Sequence, residues 1–188
     1  MSKSLIMSNK LNNLFFVGLM GAGKTSIGRL LAKHLDKAFY DTDHEIERRT
    51  GVKIPVIFEV ETEAGFRKRE TAIIEELSQH HNIVMATGGG AVIANENRQL
   101  LKQHGTVIYL RAHPDELWLR TRNDKHRPLL QNGDAHAKLT ALHAIRDPLY
   151  TEVADLIVDT GGQPMLSLVS YIEDLLTHIP YMQMPRTH

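Results

Sequence analysis

The octapeptide GLMGAGKT, Gly18 to Thr25, follows the apolar run LFFV at Leu14 to Val17. It fits the spacing G-x-x-x-x-G-K-[ST]. That spacing serves phosphate binding, because backbone N–H groups must curl around phosphate oxygens and side chains at Gly21 and Gly23 would obstruct them. Lys24 can then reach the terminal phosphates of a nucleotide, the Thr25 hydroxyl can ligate Mg2+, and the start of a helix adds its positive dipole end. A nucleotide site alone does not separate a kinase from a GTPase switch or a motor. In those machines an Asp usually closes a later buried strand, whereas here IVMA (Ile83 to Ala86) runs into Thr87 and three glycines. The acids stand instead in DTD, as Asp41 and Asp43. One can hold Mg2+, directly or through water, while the other faces an acceptor hydroxyl, an arrangement that favours transfer to a small alcohol. The same residues also suit a solvated acidic turn or a helix cap before HEIERR. The guanine-reading pattern NKxD is absent, which counts against a GTPase.

Three further clusters read as a pocket for that alcohol. GFRKRE places Arg67 beside Phe66, with Glu70 one helical turn on, able to pair with Arg67 and orient it. TGGG, Thr87 to Gly90, leaves the end of a strand without side chains, so that backbone N–H groups can approach a ligand. RDPLY sets Arg146 before Pro148 and Tyr150. Two arginines can clamp a carboxylate, since each planar fork matches its two oxygens; singly, each also suits a surface salt bridge. Between the helix carrying Trp118 and one starting near Lys138, the polar stretch NDKHRPLLQNGDAHA suits a mobile lid over about 123–137. Arg127 within it can swing onto a transferring phosphate beside Lys24, and Arg120 can lie over the nucleotide base.

These residues need a frame, and the pattern supplies an alternating one. LFFV, KAFYD (Lys37 to Asp41), IVMA, TVIYL (Thr106 to Leu110) and DLIVD (Asp155 to Asp159) read as five strands. Ile27, Leu30, Leu31 and Leu35 line one helical face after the first strand, and Phe66, Ile73, Ile74 and Leu77 mark a helix beginning near Glu63. Buried strands joined by helices imply a parallel sheet covered on both faces, with ligands at the carboxyl ends of the strands. The length of 188 residues fits one domain, with loose tails expected at about 1–12 and 180–188. The 22 basic and 22 acidic residues cancel, so no net field draws the chain to nucleic acid or an anionic membrane. With no cysteine there are neither disulfides nor thiolate metal sites. Leu5 to Met7 is too short for a signal-peptide core and no segment approaches a membrane span, so we expect a cytoplasmic monomer. His80 and His81 lack a metal-ligand spacing and read as solvated loop, while Trp118 and Met165 read as packing residues.

Taken in order, GLMGAGKT, FYDTD, GFRKRE, TGGGAV, RPLL and RDPLY resemble the shikimate kinase family from Leu14 to about Leu176. The resemblance implies a three-layer α/β/α, nucleoside monophosphate kinase-like P-loop fold with a lid. It also implies Mg2+-dependent transfer from ATP to the 3-hydroxyl of shikimate, on the route to chorismate and the aromatic amino acids. By the same resemblance, Asp43, Arg67, Gly89 and Arg146, with Phe66, Gly88 and Gly90 nearby, bind shikimate. Gly21, Ala22, Gly23, Lys24, Thr25, Ser26 and Arg127 bind ATP, with Arg120 and Gln163 of DTGGQP on the adenine side. Thr25 and Asp41 serve Mg2+, and Lys24, Asp43 and Arg127 carry the chemistry. The chain departs from the family at ETEAGF, where Thr62 stands in place of an expected glycine, and at Val56 and Val60, where more polar residues are expected. Two other readings stay open: a gluconate or nucleoside monophosphate kinase of the same fold, and a nucleotide-binding regulatory module without catalysis.

Overall fold

The computed structural model describes residues 12–122 and 134–182. Apolar runs too short for helices form the strands: β1 (Leu14–Val17), β2 (Ala38–Asp41), β3 (Ile83–Ala86), β4 (Thr106–Arg111) and β5 (Leu156–Asp159). They lie in one parallel sheet in the order β2-β3-β1-β4-β5. β1 and β3 are buried along their whole length because helices cover both faces, as continuous apolar runs in a parallel sheet require. The edge strand β5 alternates instead, with Ile157 and Asp159 facing solvent.

The helices are α1 (Lys24–His34), α2 (Thr42–Thr50), α3 (Ile54–Ser78), α4 (Asn95–His104), α5 (Pro114–Thr121), α6 (Ala135–Val153) and α7 (Met165–Met182), with a 3-10 turn at Ala91–Ile93. Together with the sheet they make the three-layer α/β/α architecture expected. α1 packs on β2, β3 and α7, while α4 and α6 pack on β4. In the register, Asp41 pairs with Ala86, and Phe16 with both Ala86 and Ile108. The carboxyl ends of β1, β2 and β3 therefore align, and the residues that follow them meet at one edge. Among the described residues no helix is long and apolar enough to cross a membrane.

Three boundaries and one packing residue differ from the sequence reading. The helix read from near Glu63 is present beyond a break at Thr62, and α3 gains an unread upstream segment from Ile54, where Pro55 occupies the first turn and its missing N–H costs nothing. α6 starts at Ala135 rather than near Lys138, since Asp134 accepts from the N–H groups of His136 and Ala137, and residues 123–133 of the expected lid lie outside the described residues. α7 continues through Pro180 to Met182, where a loose tail was expected; a proline near a helix end removes one hydrogen bond without forbidding the last turn. Met165, expected to pack, is 44% exposed at the start of α7.

Thr62 interrupts α3 with φ 64° and ψ 176°, a backbone region that glycine alone occupies comfortably. The segments on either side are fastened across the break by Arg69 on Glu61 (2.6 and 2.8 Å) and by the Phe58 and Phe66 rings, 4.8 Å apart. The expected glycine thus has a structural basis: the turn is kept and the threonine bears the strain. Val56 and Val60 lie on the exposed side of the first segment, and nothing in the structure explains their apolar character. We predict that Thr62→Gly stabilises the protein by about 1 kcal/mol, the relief of a strained φ less the entropy of a glycine. Thermal unfolding should show a Tm rise of roughly 2–4 °C; an unchanged or lower Tm would mean that the threonine is not strained.

Candidate active site

β1 ends beneath the glycine-rich loop, and the loop's shape depends on missing side chains. A Cβ on Gly18 would lie 2.5 Å from the Leu110 carbonyl oxygen, and Gly23 holds φ 97° at the cap of α1. Ala22 is buried, while Ser26 in the first turn is exposed. Lys24 is only 8% exposed, and its Nζ donates to the carbonyls of Gly18 (2.7 Å) and Leu19 (2.9 Å). The ammonium is thereby held over the loop whose amides would receive an anion. The next residue, Thr25, donates its hydroxyl to Asp41 Oδ2 at 2.7 Å.

Asp41 joins the end of β2 to α2. Its Oδ1 accepts from the N–H groups of Asp43 (3.1 Å) and His44 (3.3 Å), so the helix-cap reading of DTD and the metal-ligand reading are both available to the one carboxylate. The cap fixes Asp43 in the first turn of α2. Asp43 Oδ1 is buried and finds no hydrogen-bond partner among the described residues, and the same holds for Glu70 Oε1. Both oxygens point at Gly88, where a Cβ would lie 2.5 Å from Glu70 Oε1 and 2.9 Å from Asp43 Oδ1. Burial, followed by the negative charges of Asp41 and Glu70, raises the Asp43 pKa to about 7 against the pull of Lys24 and Arg67. Burial also raises that of Glu70.

Two guanidiniums face this carboxyl pair. Arg67 donates through Nη1 to Glu70 (2.7 Å) and through Nη2 to Glu63 (2.9 Å), and it lies against Gly90, where any Cβ would collide with it. Arg146, 5% exposed on α6, donates Nη1 to the Gly89 carbonyl at 3.1 Å, and the Tyr150 hydroxyl donates to the same oxygen. A Cβ on Gly89 would lie 3.4 Å from the Met20 amide, so the bare strand end also touches the phosphate loop. Gly88 is pinned from the other side by donation of its N–H to the Thr42 hydroxyl (3.0 Å).

A phosphate loop, an unpartnered buried carboxyl and two arginines at one strand edge suit transfer to an acidic alcohol. A family model described as shikimate kinase matches residues 20–177. The shikimate kinase of Burkholderia lata is 60% identical over 160 residues, 85% of this chain and 87% of that protein. That of Ralstonia nicotianae is 59% identical over 161 residues, 86% and 85% of the respective chains. The chain belongs to the shikimate kinase family. A solved shikimate kinase from Acinetobacter baumannii, in complex with shikimate, superimposes with a TM-score of 0.88 at 46% identity, over 95% of this chain and 98% of that one. A gluconokinase from Sinorhizobium meliloti, at 15% identity and a TM-score of 0.55, shares the fold alone. As a member of the shikimate kinase family, the chain is a phosphotransferase with an alcohol group as acceptor.

Against this family frame, the structure gathers Lys24, Thr25, Asp41, Asp43, Arg67, Gly88, Gly89, Gly90 and Arg146 at one edge. Phe66 is 4% exposed and packs beneath Arg67, whose guanidinium carbon stands 5.3 Å from the ring centre, so it supports the arginine from the core. Arg120 donates to the Thr160 carbonyl (2.8 Å), the Thr160 hydroxyl (3.1 Å) and the Gly21 carbonyl (3.4 Å). It thus braces the loop after β5 against the phosphate loop. Gln163 is exposed in that loop. Arg127 lies outside the described residues. The sequence reading gave no role to Thr42 or to the Tyr150 hydroxyl; the tyrosine had a signal, one turn after Arg146 on the same helical face, but its partner is far away in the chain.

The raised Asp43 pKa has a consequence for stability. The native protein keeps this proton at pH values where the unfolded chain, near 3.8, has lost it, so native stability falls as pH rises towards about 7 and stays lowered above. We predict that metal-free, nucleotide-free Asp43→Asn, which carries no charge at either pH, melts several degrees above wild type near pH 8 and close to it near pH 5. A Tm difference independent of pH would refute the shift.

Proposed function

We propose that this chain transfers the terminal phosphoryl group of ATP to the 3-hydroxyl of shikimate, giving shikimate 3-phosphate and ADP. The observation that carries the reading is the buried Asp43 oxygen, without a partner among the described residues, that points at Gly88 beside Glu70, with Arg67 bound to Glu70 and Arg146 to Gly89. The acceptor's carboxylate accounts for two arginines in a small pocket, and its ring hydroxyls account for Asp43 and the bare glycines Gly88 to Gly90. The Acinetobacter neighbour, with shikimate bound, supports the same acceptor.

The amides from Gly21 to Ser26 hold the phosphates, and Lys24 exchanges its loop carbonyls for their oxygens, neutralising charge as it spreads in the transition state. Asp43 Oδ1 takes the proton of the 3-hydroxyl while that oxygen bonds to the terminal phosphorus and the bond to the bridging oxygen of ADP breaks; a carboxyl titrating near 7 is matched to that task. Thr25 Oγ1 and Asp41 Oδ2, 2.7 Å apart, are hard oxygen donors that fit Mg2+. When bound, Mg2+ would offset phosphate charge. The family resemblance gives Arg127 the same task.

The test is ADP release from Mg-ATP with shikimate, gluconate or AMP as acceptor. Stimulation by shikimate alone is expected; stimulation by none, with ATP still bound, would replace the reading with a regulatory module. We further predict that Asp43→Asn lowers kcat at least about 100-fold while leaving ATP affinity within about twofold. Arg67→Ala should chiefly raise the KM for shikimate, and an unaltered KM would remove it from the clamp.

A further inference from the structure

We infer that the Tyr150 hydroxyl is a positioning group for the acceptor's carboxylate clamp, acting through the Gly89 carbonyl and Arg146. The inference rests on the shikimate reading above and adds a residue to that site. Gly89 O accepts two hydrogen bonds from α6, one from Tyr150 and one from Arg146 Nη1 at 3.1 Å. Arg146 and Tyr150 are four residues apart and project from one face of the helix, so a single turn of α6 grips one carbonyl from two directions. With one nitrogen spent on Gly89, the guanidinium is fixed in plane and its remaining donors keep a set direction.

The grip also orients the backbone beyond Gly89. No peptide bond in the described chain is cis, so the Gly90 N–H points opposite to the Gly89 carbonyl and away from α6. Anchoring that carbonyl therefore aims a backbone donor as well as an arginine. Three features hold the tyrosine itself. It is fully buried, its ring packs at 4.9 Å between centroids on Tyr109, and the Tyr109 hydroxyl is tied to Asp147 at 2.7 Å. Burial pushes the Tyr150 hydroxyl above the ordinary phenol range, so it remains a donor at every working pH. The Tyr150 hydroxyl donates to the Gly89 carbonyl. Its contribution passes through Gly89 and Arg146.

Tyr150→Phe tests this, because it keeps the ring and its stacking and deletes one donor, while Gly89 O retains Arg146 as a partner. A neutral hydrogen bond of ordinary strength corresponds to an increase of about 3- to 10-fold in the KM for shikimate. kcat and the KM for ATP should stay within about twofold, with Tm within about 3 °C. In an Arg146→Lys background the planar fork is gone, and adding Tyr150→Phe should raise the shikimate KM by less than about twofold more. A purely structural tyrosine would instead raise the KM by the same factor in both backgrounds, or raise the KM for ATP in parallel; either result overturns the inference. So does an unchanged shikimate KM in Tyr150→Phe when the wild type turns shikimate over. A wild type that does not turn it over overturns the acceptor reading, and this inference with it.

Discussion

One carboxylate, Asp41, serves two elements that must stay in register. One oxygen closes the first turn of α2 and the other receives the hydroxyl of Thr25 at the start of α1. The helix that bears the phosphate loop and the helix that bears the acceptor-facing carboxyl therefore share one anchor, at the end of the strand that lies two places from β1 in the sheet. Parallel pairing makes the anchor effective, because it aligns the carboxyl ends of β1, β2 and β3 and sets Phe16, Ala86 and Asp41 in line.

Around that anchor the charges are arranged by what is left unpaired. Lys24 and Arg146 are turned onto backbone carbonyls, and Arg67 onto Glu63 and Glu70, so each cation is oriented before any ligand arrives. Asp43 and Glu70 each keep one buried oxygen without a partner among the described residues. Such atoms are costly to maintain in an interior. Their concentration around Gly88 marks the place where a ligand's hydroxyls would complete the hydrogen bonding.

The sheet was legible in the sequence because buried parallel strands are continuous apolar runs bounded by breakers, and all five fall where those runs lie. The opening of α3 was not, since Pro55 and the exposed Val56 and Val60 break the helical period that made Phe66 to Leu77 readable. For the site, fixed spacing revealed Lys24 and Thr25, and residue type revealed Asp43, Arg67 and Arg146. Local sequence does not show which carbonyl a hydroxyl will meet: Tyr150 and Gly89 are 61 positions apart, and Thr42 and Gly88 are 46 apart. Arg120 was assigned to the nucleotide base from its type and place, and its bonds to Thr160 and Gly21 are a further case of distant partners that local sequence does not show.

The outer strand β5 has only four residues and pairs on one side with β4. An open strand edge presents unpaired amides and carbonyls that can recruit another chain into a growing sheet. Here Ile157 faces solvent near the middle of the strand, and Asp159 follows at its end, bound to Arg111 of the neighbouring strand at 2.6 Å. A second chain sliding into line would have to desolvate that ion pair for the sake of very few new ladder bonds. The edge is thus both too short and too charged to template aggregation, and the sheet can end at β5 without a covering strand.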